Sequence, residues 1–223
     1  MEESTTLPYD GPSDKPNEPS ANQIERNLRY RLPMCYRERE GAVYFDDRPY
    51  KDLWQNEVYQ KAAELATQHG VRSVLDIGCG SAYKLLKHLG HLNTCGVDVE
   101  PTLSWLKENH PDRLWREPNG HYLMYDMVVC SDVIEHVEDP DQLIASIISA
   151  MPKWVVISTP DRSMLKADQN GPPRNLSHIR EWNFDEFRAY MSDHFEVIEH
   201  YIVNEEQCTQ LAVCQQKKAP EGA

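Results

Sequence analysis

The sequence predicts an α/β fold: seven strands in a mostly parallel sheet, helices on both faces, and an antiparallel last strand. Three observations carry this expectation. From residue 73 onward, short strand-like runs alternate with segments of helical periodicity. The links between them are short, as expected where helices cross over between parallel strands. The last two apolar runs, "FEVIEHYIV" and "CTQLAVC", follow each other with no helix between them and read as an antiparallel pair.

The elements follow in order. Residues 1–20, rich in Pro, Ser, Asp and Glu, read as a disordered tail, and 216–223 read the same way. Residues 21–70 read as an N-terminal lid and first helix. A short helix stops near Pro33, an aromatic segment "AVYFDDRPY" is extended, and 51–69 places Leu53, Trp54, Val58, Ala62, Leu65 and Ala66 at helical spacing before Gly70. The core is expected over 71–215. Its strands are "SVLDIG", "TCGVDV", "RLWRE", "YDMVVCS" and "KWVVIST", followed by the closing pair. Helices are expected over 81–90, 102–110, 140–151 and 183–194, the last with Asn183 and Glu186 placed for a capping box.

Bulk properties narrow the function classes. The chain has 223 residues, 40% hydrophobic and 26% charged, enough for one domain with a full core. Its formal net charge of −13 argues against broad contacts with nucleic acid or anionic membranes. The cysteines at 35, 79, 95, 130, 208 and 214 form no CxxC pair and fit no disulfide or zinc framework. The first 20 residues do not read as a secretory signal, and no stretch reaches the roughly 20 apolar residues of a membrane span. A cytoplasmic protein with a small-molecule substrate, no nucleic-acid partner and no membrane partner is expected.

"VLDIGCGSAY" follows the first strand and opens a helix. Gly78 and Gly80 permit a tight turn and close approach of backbone to a ligand. The third glycine of a dinucleotide-binding turn is replaced by Tyr83, and Asp76 ends the strand, where a carboxylate suits an ammonium better than a pyrophosphate. Asp98 ends the second strand 22 residues later, where acids accept ribose hydroxyls in nucleotide folds. The ligand these features describe is a nucleoside with a cationic amino-acid end and no phosphates, which is S-adenosylmethionine. With "GVDVEP", "VVCSDVIEHVEDP" and "WVVISTP" in order, the chain resembles the class I S-adenosylmethionine-dependent methyltransferases over roughly residues 50–214. The resemblance implies a Rossmann-like sheet. It implies that Asp76, Gly78, Cys79 and Gly80 line the methionine end, that Asp98 holds the ribose and Val99 packs by the adenine. Cys130 and Ser131 would lie near the sulfonium.

The acceptor side rests on two stretches. In "SDVIEHVEDP", Asp132, Glu135 and His136 crowd together just past the fourth strand. One reading makes them a capped, solvated loop. The other makes His136 the base that takes the acceptor's proton, with Glu135 or Asp132 orienting it. In "GPPRNLSHIREW", His178 lies on the loop expected over the acceptor pocket, and Arg174 and Arg180 add positive charge there. His136 and His178 are the candidate catalytic residues. Asp132, Glu135, His136 and His178 together also suit Mg²⁺ or Mn²⁺, a pattern similar to that of the small-RNA 2′-O-methyltransferases, with Asp132 in place of a Glu. The metal-free site is the favoured expectation. O-methylation of a small hydroxylated acceptor such as a sugar or glycoconjugate is the favoured function. The alternatives are metal-dependent 2′-O-methylation of an RNA 3′ end and a non-catalytic donor-binding partner protein.

Overall fold

The computed structural model describes residues 19–51, 53–166 and 168–217. What was expected of residues 1–18 and 218–223 lies outside them. The helices are α1 (Ala21–Arg29), α2 (Asn56–His69), α3 (Tyr83–Leu89), α4 (Thr102–Asn109), α5 (Pro140–Ser149) and α6 (Phe184–His194). The strands are β1 (Ser73–Ile77), β2 (Asn93–Val97), β3 (Leu114–Arg116), β4 (Met127–Ser131), β5 (Trp154–Pro160), β6 (Phe195–Asn204) and β7 (Thr209–Gln216). They form one sheet in the order β3-β2-β1-β4-β5-β7-β6. Strands β1 to β5 pair in parallel, and β7 lies antiparallel between β5 and β6. This is the expected architecture. The strand order reverses between β1 and β4, so a crevice opens outside their carboxyl ends.

Alternation along each strand feeds two apolar layers. Val128 and Cys130 of β4 join one layer with Leu143, Ile144 and Ile147 of α5 and Phe187, Tyr190 and Met191 of α6. Met127 and Val129 join the other, with Val58 and Leu65 of α2, Leu85 of α3 and Leu103 of α4. Each such large side chain contributes about 1.5–3 kcal/mol by leaving water. The helix ends follow local chemistry. Asp139 caps α5 by accepting from Asp141 N and Gln142 N, with Pro140 in the first turn. Asn183 and Glu186 form the expected capping box on α6.

The N-terminal part differs from expectation. Helix α2 starts at Asn56, because Gln55 before it is left-handed at φ 66°. Leu53 and Trp54, read as its first apolar positions, precede it. Trp54 packs instead against Tyr50, ring centroids 4.9 Å apart, and Tyr50 stacks on Phe45. Helix α1 does not line the crevice; Tyr30, which follows it, accepts from Trp182 Nε1 at 2.7 Å and meets Tyr190 of α6 edge-on. The part that reaches the crevice is the non-helical strap that follows. Its backbone runs along the loop after β5, with Arg39 N donating to Ile179 O at 2.8 Å and Val43 N to Leu176 O at 3.0 Å. The tail boundaries shift slightly: Ser20 caps α1, and β7 includes Gln216. Among the described residues no helix is long and apolar enough to cross a membrane.

Candidate active site

A cavity of about 760 Å³ opens at the carboxyl ends of β1, β2, β4 and β5 and is roofed by strap residues Ala42 to Phe45, Asp47, Trp54 and Gln55. Its first half is built on the glycine turn. Gly78 has φ +73°, and a Cβ there would collide with the Val133 side chain. At Gly80, with φ +54°, a Cβ would collide with the Asp47 carboxylate. Both positions need glycine for conformation, and Gly78 also for space against the β-branched Val133. Asp98 Oδ2 accepts from Gly80 N at 2.7 Å, and Oδ1 accepts from Val99 N at 2.8 Å. Burial pushes the Asp98 carboxyl up to about 6, against those two hydrogen bonds.

Of the residues the sequence offered for the donor, Gly78, Cys79, Gly80, Asp98, Val99 and Ser131 line this cavity. Two other expected donor contacts are placed elsewhere. Cys130 points into the α5/α6 core, fully buried, with its thiol pushed up by that burial. Asp76 lies buried beneath the turn, outside the cavity lining. Tyr59 donates its hydroxyl to Asp76 Oδ2 at 2.9 Å, while Oδ1 has no protein partner. Burial pushes the Asp76 carboxyl up to about 7.

The second half lies between the loop after β4 and the loop after β5. The Glu135 carbonyl accepts from Ile179 N at 2.8 Å, which ties the two loops together. Glu135 itself is fully buried. Thr159 donates to its Oε2 at 3.0 Å, and Oε1 is left without a hydrogen-bond partner, 3.9 Å from His136 Nε2. Burial, reinforced by the Asp132 charge, pushes the Glu135 carboxyl up to about 8. The His136 imidazole is shifted down by burial, so it stays neutral near pH 7. Its Nδ1 lies 2.8 Å from Ser177 O. A carbonyl only accepts, so Nδ1 carries the proton and Nε2 keeps a free lone pair.

His178 is held in the same sense. Its Nδ1 lies 2.7 Å from Glu181 Oε1 and its Nε2 lies 2.9 Å from Asn175 Nδ2. Asn175 Oδ1 accepts from Ser177 N at 3.0 Å, so its amide nitrogen donates to Nε2. The two imidazole rings stand 4.8 Å apart at 80°. Glu135, His136 and His178 each present a ligand atom within 4.8 Å of the others. An orphaned, buried carboxylate oxygen beside two oriented imidazoles is a donor set that fits a divalent ion.

Three of the four candidate ligands therefore meet, and Asp132 does not join them. At φ +52° its Oδ1 accepts from Ser158 Oγ at 2.6 Å and its Oδ2 from Gln55 Nε2 at 3.1 Å. Neither acid bonds the His136 ring in the way expected, since Ser177 O holds it. Of the two candidate substrate arginines, Arg174 lines the cavity and is exposed. Arg180 is buried. It donates to Glu38 Oε1 and to the Val137 and Glu138 carbonyls, and covers the Tyr30 ring. It braces the two loops and offers nothing to a substrate. Sequence reasoning missed Asp47, Gln55, Lys84, Thr159 and Glu181. The one local signal was Glu181, three residues beyond His178.

The family model described as "Methyltransferase domain" matches residues 44–205. Curated relatives named small RNA 2′-O-methyltransferase are 28% identical: the mouse protein over 68% of this chain and 44% of its own length, the rat protein over 60% and 41%. This chain thus spans less than half the length of those relatives. Among solved structures, the magnesium protoporphyrin IX methyltransferase of Synechocystis, with S-adenosylhomocysteine bound, is 14% identical. It covers 88% of this chain and 95% of its own, at a TM-score of 0.58. Fold and family match agree: the chain belongs to the methyltransferase-domain family, and residues 44–205 form a Rossmann-like, S-adenosylmethionine-dependent methyltransferase domain.

Proposed function

We propose that the chain methylates a hydroxyl of a vicinal diol, the 2′-hydroxyl of an RNA 3′-terminal ribose, with a divalent ion held by Glu135, His136 and His178. The meeting of those three side chains, with Glu135 Oε1 unpartnered, carries this reading. The names of the mouse and rat relatives support it. This revises the expected preference for a metal-free site. A divalent ion, when bound, supplies Lewis-acid charge that lowers the pKa of a coordinated hydroxyl. The chain's own residues do the rest. Ser177 and Glu181 fix the tautomers of the two imidazoles; the Nε2 lone pair of His136 is free, and that of His178, which accepts from Asn175 Nδ2, would turn to the ion in place of Asn175. Thr159 holds Glu135. The strap and the buried loop junction limit water around the reacting hydroxyl. Arg174, exposed at the cavity wall, would meet a phosphate next to the terminal ribose.

The net charge of −13 favours a second reading: a small hydroxylated acceptor, with neutral His136 as the base. One experiment separates the two. Methyl transfer is measured to an oligoribonucleotide ending in a free 2′,3′-diol, to the same oligonucleotide with a 2′-deoxy end, and to simple sugars. Transfer to the diol end alone, lost with EDTA and restored by Mn²⁺, is expected. Turnover indifferent to chelation, or sugars methylated in preference, would overturn the proposal.

A further inference from the structure

The donor's amino-acid tail carries an ammonium and a carboxylate, and each needs a partner of opposite charge at the glycine turn. The sequence offered Asp76 for the ammonium, but Asp76 lies beneath the turn, bonded to Tyr59 and outside the cavity lining. Another carboxylate stands on the cavity wall. Asp47, from the strap, accepts from Ser81 N at 2.7 Å and from Ser81 Oγ at 3.3 Å. Its side chain remains 20% exposed, and two carboxylate oxygens accept more hydrogen bonds than these. Lys84, nearly buried and also lining the cavity, puts its Nζ 3.7 Å from Asp47 Oδ2 and donates to Lys51 O at 2.9 Å. The bare Cα of Gly80 is what lets Asp47 approach the turn.

We propose that Asp47 is the carboxylate that receives the donor's ammonium, with Lys84 beside it facing the donor's carboxylate. This assigns a donor-binding role to the strap. The same strap bonds the acceptor loop through Val43 N and Leu176 O, and bonds Asp132 through Gln55. Occupancy by the donor's tail therefore fastens the segment that also roofs the acceptor half.

The test is calorimetry on the full chain with three ligands: S-adenosylhomocysteine, its deaminated analogue, and 5′-methylthioadenosine, which lacks the tail. Asp47→Asn keeps the side chain's size and removes its charge. It is expected to weaken S-adenosylhomocysteine about 10- to 100-fold, the range of a charge-assisted hydrogen bond. Binding of the two ligands without the amine is expected to stay unchanged, which also shows that the variant is folded. Equal losses for all three ligands, no loss, or tighter S-adenosylhomocysteine would overturn the assignment. So would an amine-specific loss in Asp76→Asn instead. Wild-type chain that binds none of the three would contradict the donor site itself, a different failure.

Discussion

Glu135→Gln is expected to lower methyl transfer by roughly 10³-fold while leaving S-adenosylhomocysteine affinity unchanged, in line with the several kcal/mol that a metal ion's charge supplies at a reacting oxygen. The variant is the same size, and its amide oxygen can still accept from Thr159, so the loop junction at the Glu135 carbonyl is kept. What it removes is the carboxyl oxygen that has no hydrogen-bond partner, stands 3.9 Å from His136 Nε2 and could carry a negative charge toward an ion. Single-turnover kinetics and donor calorimetry on one preparation check both halves of the expectation. Retained activity would assign Glu135 a purely structural role.

Gly78→Ala carries the second large effect. The residue sits at φ +73°, a region that costs a non-glycine residue about 1–3 kcal/mol. Its new Cβ would also run into Val133, which follows β4 in the same cavity wall. Overpacking adds about 1–3 kcal/mol. A stability loss of about 2–6 kcal/mol is expected in urea denaturation, with donor affinity falling because the turn can no longer hold its shape. The double variant Gly78→Ala/Val133→Ala is expected to recover the share due to the collision and not the share due to φ. Full recovery would show that backbone conformation at residue 78 contributes nothing.

The fold was legible because its signals are local. Strands β1, β4 and β5 are apolar runs bounded by a glycine, proline or polar turn, and Asn183 with Glu186 announces α6 by spacing alone. The start of α2 was misread because Leu53 and Trp54 continue its apolar period while an aromatic contact with Tyr50 claims the Trp54 side chain. In the site, Glu135, His136 and His178 could be named because loops after parallel strands converge on one crevice. Asp132 failed at the same motif, since its left-handed backbone accompanies a carboxylate bound to Ser158. Arg180 looked like an exposed cation in an acidic chain, and burial against Glu38 and two carbonyls decides otherwise. Asp47 and Lys84 were invisible for a plainer reason. Their contacts join the strap to the glycine turn across more than thirty positions, and periodicity says nothing about such distances.

The proposal of a metal-assisted transferase is tested most directly by electron spin-echo spectroscopy of the chain titrated with Mn²⁺. The expected result is one bound ion per chain whose spectrum shows coupling to two imidazole nitrogens. One coupling should disappear in His136→Ala and the other in His178→Ala. A spectrum of fully hydrated Mn²⁺ at every protein concentration, with no nitrogen coupling, would contradict it.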